Sequence, residues 1–463
     1  MTEVTLAVVG GGLRGLTYAR RAHATGAGRV VAVAEPDPGR RAAFAAEFGI
    51  RPELAYDDWK ELAAAGRLAD AAVIATHDRL HTDPAVTLAD LGYHILLEKP
   101  MATDEEESVM IADAAERNGI MLAVCHVLRY TPYTRVVKEL LDSGRIGRLV
   151  SVQHLEPVGW WHQAHSFVRG HWRRQDTSAP MLLAKACHDI DWLVHLFGRP
   201  PVRVSSFGSL SHFRASDRPA EAADRCLDCP LEPSCPYSAP RLYLGCLGDP
   251  GSEFWPLSAV TPERTEEAVL DALRTGPYGR CVYACDNDVV DHQEVVMEFE
   301  DGATCSFTMS AFTPMEHRRT RLFGTHGYLD GDGLSLRVVD FRTGAEETVR
   351  TQDLAGPSAA DGHGGGDEGL TDAFLAAVAS GDASLLRSDA AESLMTHRVV
   401  WAAERAPATP PPSSPSDRRP QKSCCAHGSS APYGDGSSQA QDSARRRRLG
   451  RTWCAEQEGA WCS

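Results

Sequence analysis

Between residues 4 and 125, short and almost unbroken apolar runs alternate with amphipathic segments, a grammar that few architectures accept. The runs TLAVVG, RVVAVAE, DAAVIAT, YHILLEKP and IMLAVCH keep their polar residues to the ends, the pattern of strands buried on both faces. Helical periodicity fills the intervals, at about 13–25, 38–48, 83–91 and 104–118, and a capping box of Thr103 and Glu106 opens the last. Strand and helix in alternation require right-handed crossovers, so the expected class is α/β with a parallel, doubly wound sheet.

The first turn of that sheet reads Gly10-Gly11-Gly12-Leu13-Arg14-Gly15, between a predicted strand and a predicted helix, and Glu35 closes the next strand twenty residues after Gly15. These spacings suit a dinucleotide. Gly10 makes the tight turn, Gly12 lets the backbone approach a pyrophosphate, Gly15 permits close helix packing, and the helix N-terminus receives the negative charge. Glu35 would accept hydrogen bonds from the adenosine ribose and repel a 2′-phosphate, which favours NAD over NADP, while Arg40 and Arg41 pull the other way. Leu13, Arg14, Thr76, His81, Glu98 and Lys99 are the further cofactor-binding candidates.

Beyond residue 145 the pattern changes to strands without intervening helices: RLVSVQHLEPV, VRVSSFGSLSHF, HQEVVMEFE, ATCSFTMSAF, RTRLFGT and LSLRVVDF, with Asp301-Gly302 as a hairpin turn. An α+β domain with an open, mainly antiparallel sheet is expected. Against it the segment from Ser178 to Gly198 reads as one helix, its apolar face including Leu182, Leu183, Ile190 and Leu193. The opposite stripe holds Lys185, His188, Asp191 and His195. Periodicity by itself makes that stripe a solvated face.

The expected organisation is residues 1–125, 126–405 with a cysteine-containing insertion at about 214–290, and a disordered tail at 406–463, where Pro, Ser, Gly and Arg dominate. A net charge of −16 argues against nucleic-acid and acidic-membrane partners and leaves small-molecule chemistry. No apolar run approaches the ~20 residues of a membrane span. A strand beginning almost at Met1 leaves no room for a signal peptide, so the protein is expected in the cytoplasm with its thirteen cysteines free or metal-bound. Cys226, Cys229 and Cys235, with Cys281 or alternatively Cys246 or Cys285, have the composition of a structural zinc site; free or redox-active thiols and an iron–sulfur cluster are the other readings.

GGGLRG, the AEPDP after the second strand, Glu98-Lys99-Pro100, RYTP at 129–132 and the helix carrying His188 together resemble the glucose-fructose oxidoreductase, inositol dehydrogenase and MocA family, over roughly residues 4–405. The resemblance implies a Rossmann domain followed by an open-sheet domain, bound NAD or NADP, and hydride transfer at a hydroxyl of a sugar, sugar derivative or cyclitol. It also implies a homodimer or homotetramer. Carried over to this chain, Lys99 and His188 flank the substrate, the lysine stabilising an alkoxide and the histidine acting as acid and base near neutral pH. Under this resemblance the helix stripe becomes catalytic, with His188 central and His195 exposed.

The chain also departs from the family. Many members carry an aspartate where this one has Ala184, followed by Lys185, so that carboxylate is missing or supplied by Asp189 or Asp191. Arg129, Tyr130, Lys185, Asp191 and His363 are the substrate-contact candidates. The loop GHGGGDEG at 362–369 either brings His363 and Asp367 to the substrate or serves as a glycine linker. Two other functions remain open: an NAD-dependent glycoside hydrolase working by transient oxidation and elimination, and a non-catalytic dinucleotide sensor.

Overall fold

Along TLAVVG, Leu6 and Val8 point to one side of the first sheet and Ala7 and Val9 to the other, and all four are buried because helices cover both faces. The computed structural model describes residues 3–351 and 362–406. Six strands, β1 (Val4–Val9), β2 (Gly28–Ala34), β3 (Ala55–Tyr56), β4 (Ala71–Ile74), β5 (His94–Leu97) and β6 (Leu122–Val124), run parallel in the order β3-β2-β1-β4-β5-β6. The helices Leu13–Thr25, Pro38–Phe48, Thr82–Asp90 and Glu105–Asn118 lie within a residue of their expected bounds. The last is capped by Asp104, which accepts the Glu107 N–H at 2.9 Å, rather than by the expected Thr103 and Glu106. A carboxylate answers the positive end of the helix better than a hydroxyl does.

The second sheet comprises β7 (Leu149–Pro157), β8 (Arg203–Ser209), β9 (His292–Glu298), β10 (Thr304–Ser310), β11 (Arg319–Gly324), β12 (Gly327–Gly331), β13 (Ser335–Asp340) and β14 (Glu346–Arg350). Their order is β14-β13-β12-β11-β7-β10-β9-β8, antiparallel except where β7 lies beside β10. Gly302, at φ 79°, turns the β9–β10 hairpin as expected. Cys305, Phe307 and Met309 face the core while Thr304, Ser306 and Thr308 face away. Three strands carry no strand pattern in the sequence: β3 has two residues, β12 (GYLDG) is written in turn residues, and β14 (EETVR) has no buried face.

The segment 178–198 is not one helix. It breaks into Met181–Ala184 and Cys187–Phe197, with Ala186 at φ −106° and ψ 9° between them. Nor is its polar stripe solvated: His188 and Asp191 are buried, because the helix Ala390–Arg405 packs on this face as well as on Glu105–Asn118. The helix Gly366–Ser380 returns to pack against Leu13–Thr25, and Ala390–Arg405, which also packs on β8 and β6, ties the second sheet to the first. The insertion is ordered by a small apolar cluster of its own, centred on Tyr243, Leu257, Val269 and Leu273. Of the expected tail, everything after Ala406 lies outside the described residues.

Candidate active site

The nucleotide turn has the geometry its glycines imply. Gly10 sits at φ 98°, and a Cβ on it would stand 2.5 Å from the Ala75 carbonyl oxygen; a Cβ on Gly15 would stand 2.1 Å from the Gly10 carbonyl oxygen. A Cβ on Gly12 would meet nothing within 4 Å. No side chain caps the helix that follows, so its first N–H groups and the open space over Gly12 together fit an anionic pyrophosphate. Glu35 is buried; one oxygen accepts the Gly11 N–H at 2.9 Å, and the other accepts Asp37 N–H and the Arg40 guanidinium at 2.8 Å. The Arg41 guanidinium donates to the Glu35 carbonyl at 2.6 Å.

Arg14 does not face that space. Its guanidinium donates to Glu98 at 2.5 Å, to Tyr18, and to both carboxylate oxygens of Asp367, a residue far along the chain. The Glu98 carboxylate also accepts the Tyr18 hydroxyl at 2.7 Å and the Lys99 N–H at 2.9 Å. Burial works against its charge, but Arg14 and Lys99 outweigh burial and hold its pKa below the ordinary value. Thr76 donates to the Leu80 carbonyl at 3.1 Å, at the carboxyl edge of β4. His81 is fully enclosed, spanning the carbonyls of Pro100 at 2.8 Å and Thr76 at 3.2 Å, so it fixes two loops rather than facing a ligand.

From the end of β5, Lys99 reaches across the seam between the sheets. Its Nζ donates to the Ala184 carbonyl at 2.7 Å, at the helix break and four residues before His188. His188 is buried, its Nδ1 has no hydrogen-bond partner among the described residues, and its ring stands edge-on to His126 and tilted against His363, 5.8 Å between centroids. Burial, then Lys99 and His363, push its pKa well below the imidazole range. Against the near-neutral acid and base expected there, burial and the neighbouring cation favour the uncharged imidazole.

Beneath these residues lies a network that periodicity could not reveal. Lys185 pairs with Glu156 at 3.1 Å, Glu156 with Arg318 at 3.0 Å, and Arg318 with Asp189 at 2.5 Å, while His154 contacts Asp189 at 3.0 Å. Burial opposes the charge on Asp189, and Arg318 overcomes it. Arg318 and His154 also line a cleft open to solvent, with Tyr133, Trp192 and His363.

Residues 4–126 match the family model described as "Oxidoreductase family, NAD-binding Rossmann fold", and residues 138–407 match its partner, "Oxidoreductase family, C-terminal alpha/beta domain". The chain belongs to the Gfo/Idh/MocA oxidoreductase family. The levoglucosan dehydrogenase of Pseudarthrobacter phenanthrenivorans is 29% identical over 43% of this chain and 52% of its own length. Inositol 2-dehydrogenase 2 of Saccharopolyspora erythraea is 36% identical over 31% of this chain and 42% of its own. The chain thus spans about half the length of these curated relatives. Among solved structures, an Agrobacterium radiobacter oxidoreductase in complex with NAD+, L-tartaric acid and magnesium superposes with a TM-score of 0.63 at 17% identity, covering 88% of this chain and 97% of that one.

Within this Gfo/Idh/MocA chain the sequence-expected residues divide. Gly10, Gly12, Gly15, Glu35 and Thr76 gather at the carboxyl edge of the first sheet, and Lys99, Lys185, His188 and His363 meet around the seam. Arg129, Tyr130 and Asp191, expected to touch substrate, are engaged instead by one another and by residues near the chain's late helix. Asp191 is fully buried and takes Arg129 at 2.7 and 2.8 Å and Thr396 at 3.0 Å; Tyr130 hydrogen-bonds Ser388 and the Arg387 N–H. These pairs hold the late helices to the body, a task set by burial. Asp189 is engaged by Arg318, so neither aspartate stands in for the carboxylate absent at Ala184. His195 is half-buried, and burial lowers its pKa to about 4.

The zinc site expected from Cys226, Cys229, Cys235 and Cys281 is not formed. Among the described residues no three His, Cys, Asp or Glu side chains gather as metal ligands. Cys226 instead turns inward, where its sulfur takes the buried Arg169 guanidinium at 3.4 Å, and the insertion holds together through its apolar cluster. Among the described residues no helix is long and apolar enough to cross a membrane.

Proposed function

We propose that this protein is an NAD(P)-dependent oxidoreductase that oxidises a CH–OH group of a sugar, sugar derivative or cyclitol, with NAD preferred to NADP. The observation that carries the reading is the meeting of Lys99, from the cofactor edge of the first sheet, with the helix break that carries His188, through the 2.7 Å bond to Ala184. Bound nicotinamide would supply the hydride acceptor. Gly12 and the uncapped helix N-terminus hold the pyrophosphate, and Glu35 accepts the ribose hydroxyls and repels a 2′-phosphate. Lys99 offers an ammonium to the alkoxide as the hydride leaves, and His188, neutral, hydrogen-bonds the same oxygen. The similarity to levoglucosan and inositol dehydrogenases supports a polyol ring as substrate.

The same reading takes the protein as a cytoplasmic homo-oligomer, supported by the free cysteines among the described residues and by Val150, Phe207 and Val296, exposed on strands of the second sheet. The test is a panel of free sugars, sugar acids and cyclitols offered to the protein with NAD, followed by NADH absorbance. Net NADH with one class of polyol is the expected result. Glycoside cleavage without net NADH would replace this reading by the hydrolase, and binding of NAD with no turnover of any glycoside or polyol would leave a sensor.

A further inference from the structure

The loop His363–Asp367 contains a side-chain pair that hydride transfer by itself does not call for. His363 Nδ1 lies 2.9 Å from an Asp367 oxygen, and Asp367 is buried and clamped through both oxygens by Arg14. His363 stands at φ 49°, the one non-glycine residue with positive φ among the described residues, followed by Gly364 and Gly365, also left-handed. Such a conformation is uncommon for a side-chain-bearing residue and collects at functional sites. The loop is no slack linker: a Cβ on Gly366 would stand 2.4 Å from the Val127 carbonyl oxygen, so the run is seated closely on the backbone beneath it.

Asp367 fixes the ring. With Nδ1–H committed to the carboxylate, Nε2 is the free basic nitrogen, on the opposite edge of a side chain 31% exposed and lining the cleft. The His188 ring stands beside it, 5.8 Å between centroids, so the two imidazoles border the same space. The two histidines are electrostatically unlike. An imidazolium at His363 would face an anion whose proton affinity is held down, against burial, by Arg14 and His363 itself, whereas one at His188 would face Lys99 and His363.

We propose that Asp367–His363 is the proton-accepting dyad of this site and replaces the carboxylate missing at Ala184. The proposal rests on the oxidoreductase reading. Bound nicotinamide would take the carbinol hydrogen as hydride as the C=O bond forms. The hydroxyl proton passes to His363 Nε2, the resulting imidazolium is neutralised by Asp367, and the exposed edge of the ring returns the proton to water. His188 keeps its protonation state throughout.

The experiment uses full-length protein, NAD and a polyol that the wild type oxidises; a wild type inert towards every polyol refutes the oxidoreductase reading and with it this proposal. His363→Gly, which tolerates the left-handed backbone, should lower kcat by roughly 10²- to 10⁴-fold with NAD affinity by calorimetry and Tm close to wild type. Added imidazole should restore activity, with rates that rise with the basicity of substituted imidazoles. Asp367→Asn should lower kcat with the same rescue absent, because its ring nitrogen is present but wrongly protonated. Activity of His363→Gly within threefold of wild type, or a loss that no imidazole restores while the variant still melts and binds NAD normally, overturns the dyad.

Discussion

Replacing Gly12 by alanine separates dinucleotide binding from folding more cleanly than any other change in the nucleotide turn. Gly12 sits at φ −75° and ψ −168°, a conformation alanine adopts freely, and the added Cβ would meet nothing within 4 Å. The folding cost is then only that of alanine against glycine at a helix N-cap, about 0.5–1.5 kcal/mol. Binding is a different matter. A phosphate oxygen accepting an N–H at about 2.9 Å would be pushed out by a methyl group needing roughly 3.4 Å of clearance, breaking at least one charge-assisted hydrogen bond worth about 1.5–3 kcal/mol. NAD affinity should therefore fall by roughly 10- to 150-fold.

A melting assay reads both quantities. At 100 times its Kd, NAD should stabilise the wild type by about 2.7 kcal/mol; for Gly12→Ala at the same NAD concentration roughly half to nine tenths of that shift should vanish while the ligand-free Tm stays within a degree or two. Gly15→Ala is the contrast. Its Cβ would lie 2.1 Å from the Gly10 carbonyl oxygen, so it should lower the ligand-free Tm as well, by an overpacking cost of about 1–3 kcal/mol. An undiminished NAD shift in Gly12→Ala would mean that the pyrophosphate does not cross this turn, and the cofactor placement would be wrong.

Glu35→Ala frees Arg40 from the 2.8 Å pair and removes the charge that repels a 2′-phosphate, so calorimetry should show the NAD-over-NADP preference narrowing or reversing. Asp191→Asn leaves the buried Arg129 with only the half-exposed Glu392 as counter-ion and should cost about 3–5 kcal/mol in urea unfolding, whatever it does to activity. Burial raises the Asp191 pKa and Arg129 lowers it further than that, leaving it below the ordinary carboxylate value. The stability it gives is thus complete above that value and lost as pH falls below it, and wild-type urea midpoints measured from pH 7 down to pH 3 should drop more steeply than those of Asp191→Asn. Lys99→Met should abolish most polyol oxidation while leaving the NAD-induced Tm shift, since the ammonium is needed at the alkoxide and not at the pyrophosphate.

What the sequence determined by itself were the features written in short-range pattern. Uninterrupted apolar runs allow only strands covered on both sides, and the spacing of Gly10, Gly12 and Gly15 before Glu35 is a backbone requirement that reads the same in one dimension as in three. The second sheet was legible where its strands carry apolar, β-branched runs and invisible in GYLDG, whose glycines and aspartate read as a turn, and in EETVR, which has no buried face. The polar side of the His188 helix marks the limit. Periodicity says which residues share a face but not what lies opposite, and here the helix Ala390–Arg405 covers that face, turning Asp191 from a candidate ligand contact into half of a buried ion pair with Arg129. Only the tertiary structure decided which charges meet: Arg14 with Asp367, Lys99 with the Ala184 carbonyl, Arg318 with Glu156 and Asp189. An ion pair depends on a few ångströms between side chains that can be hundreds of residues apart, and no local pattern carries that distance.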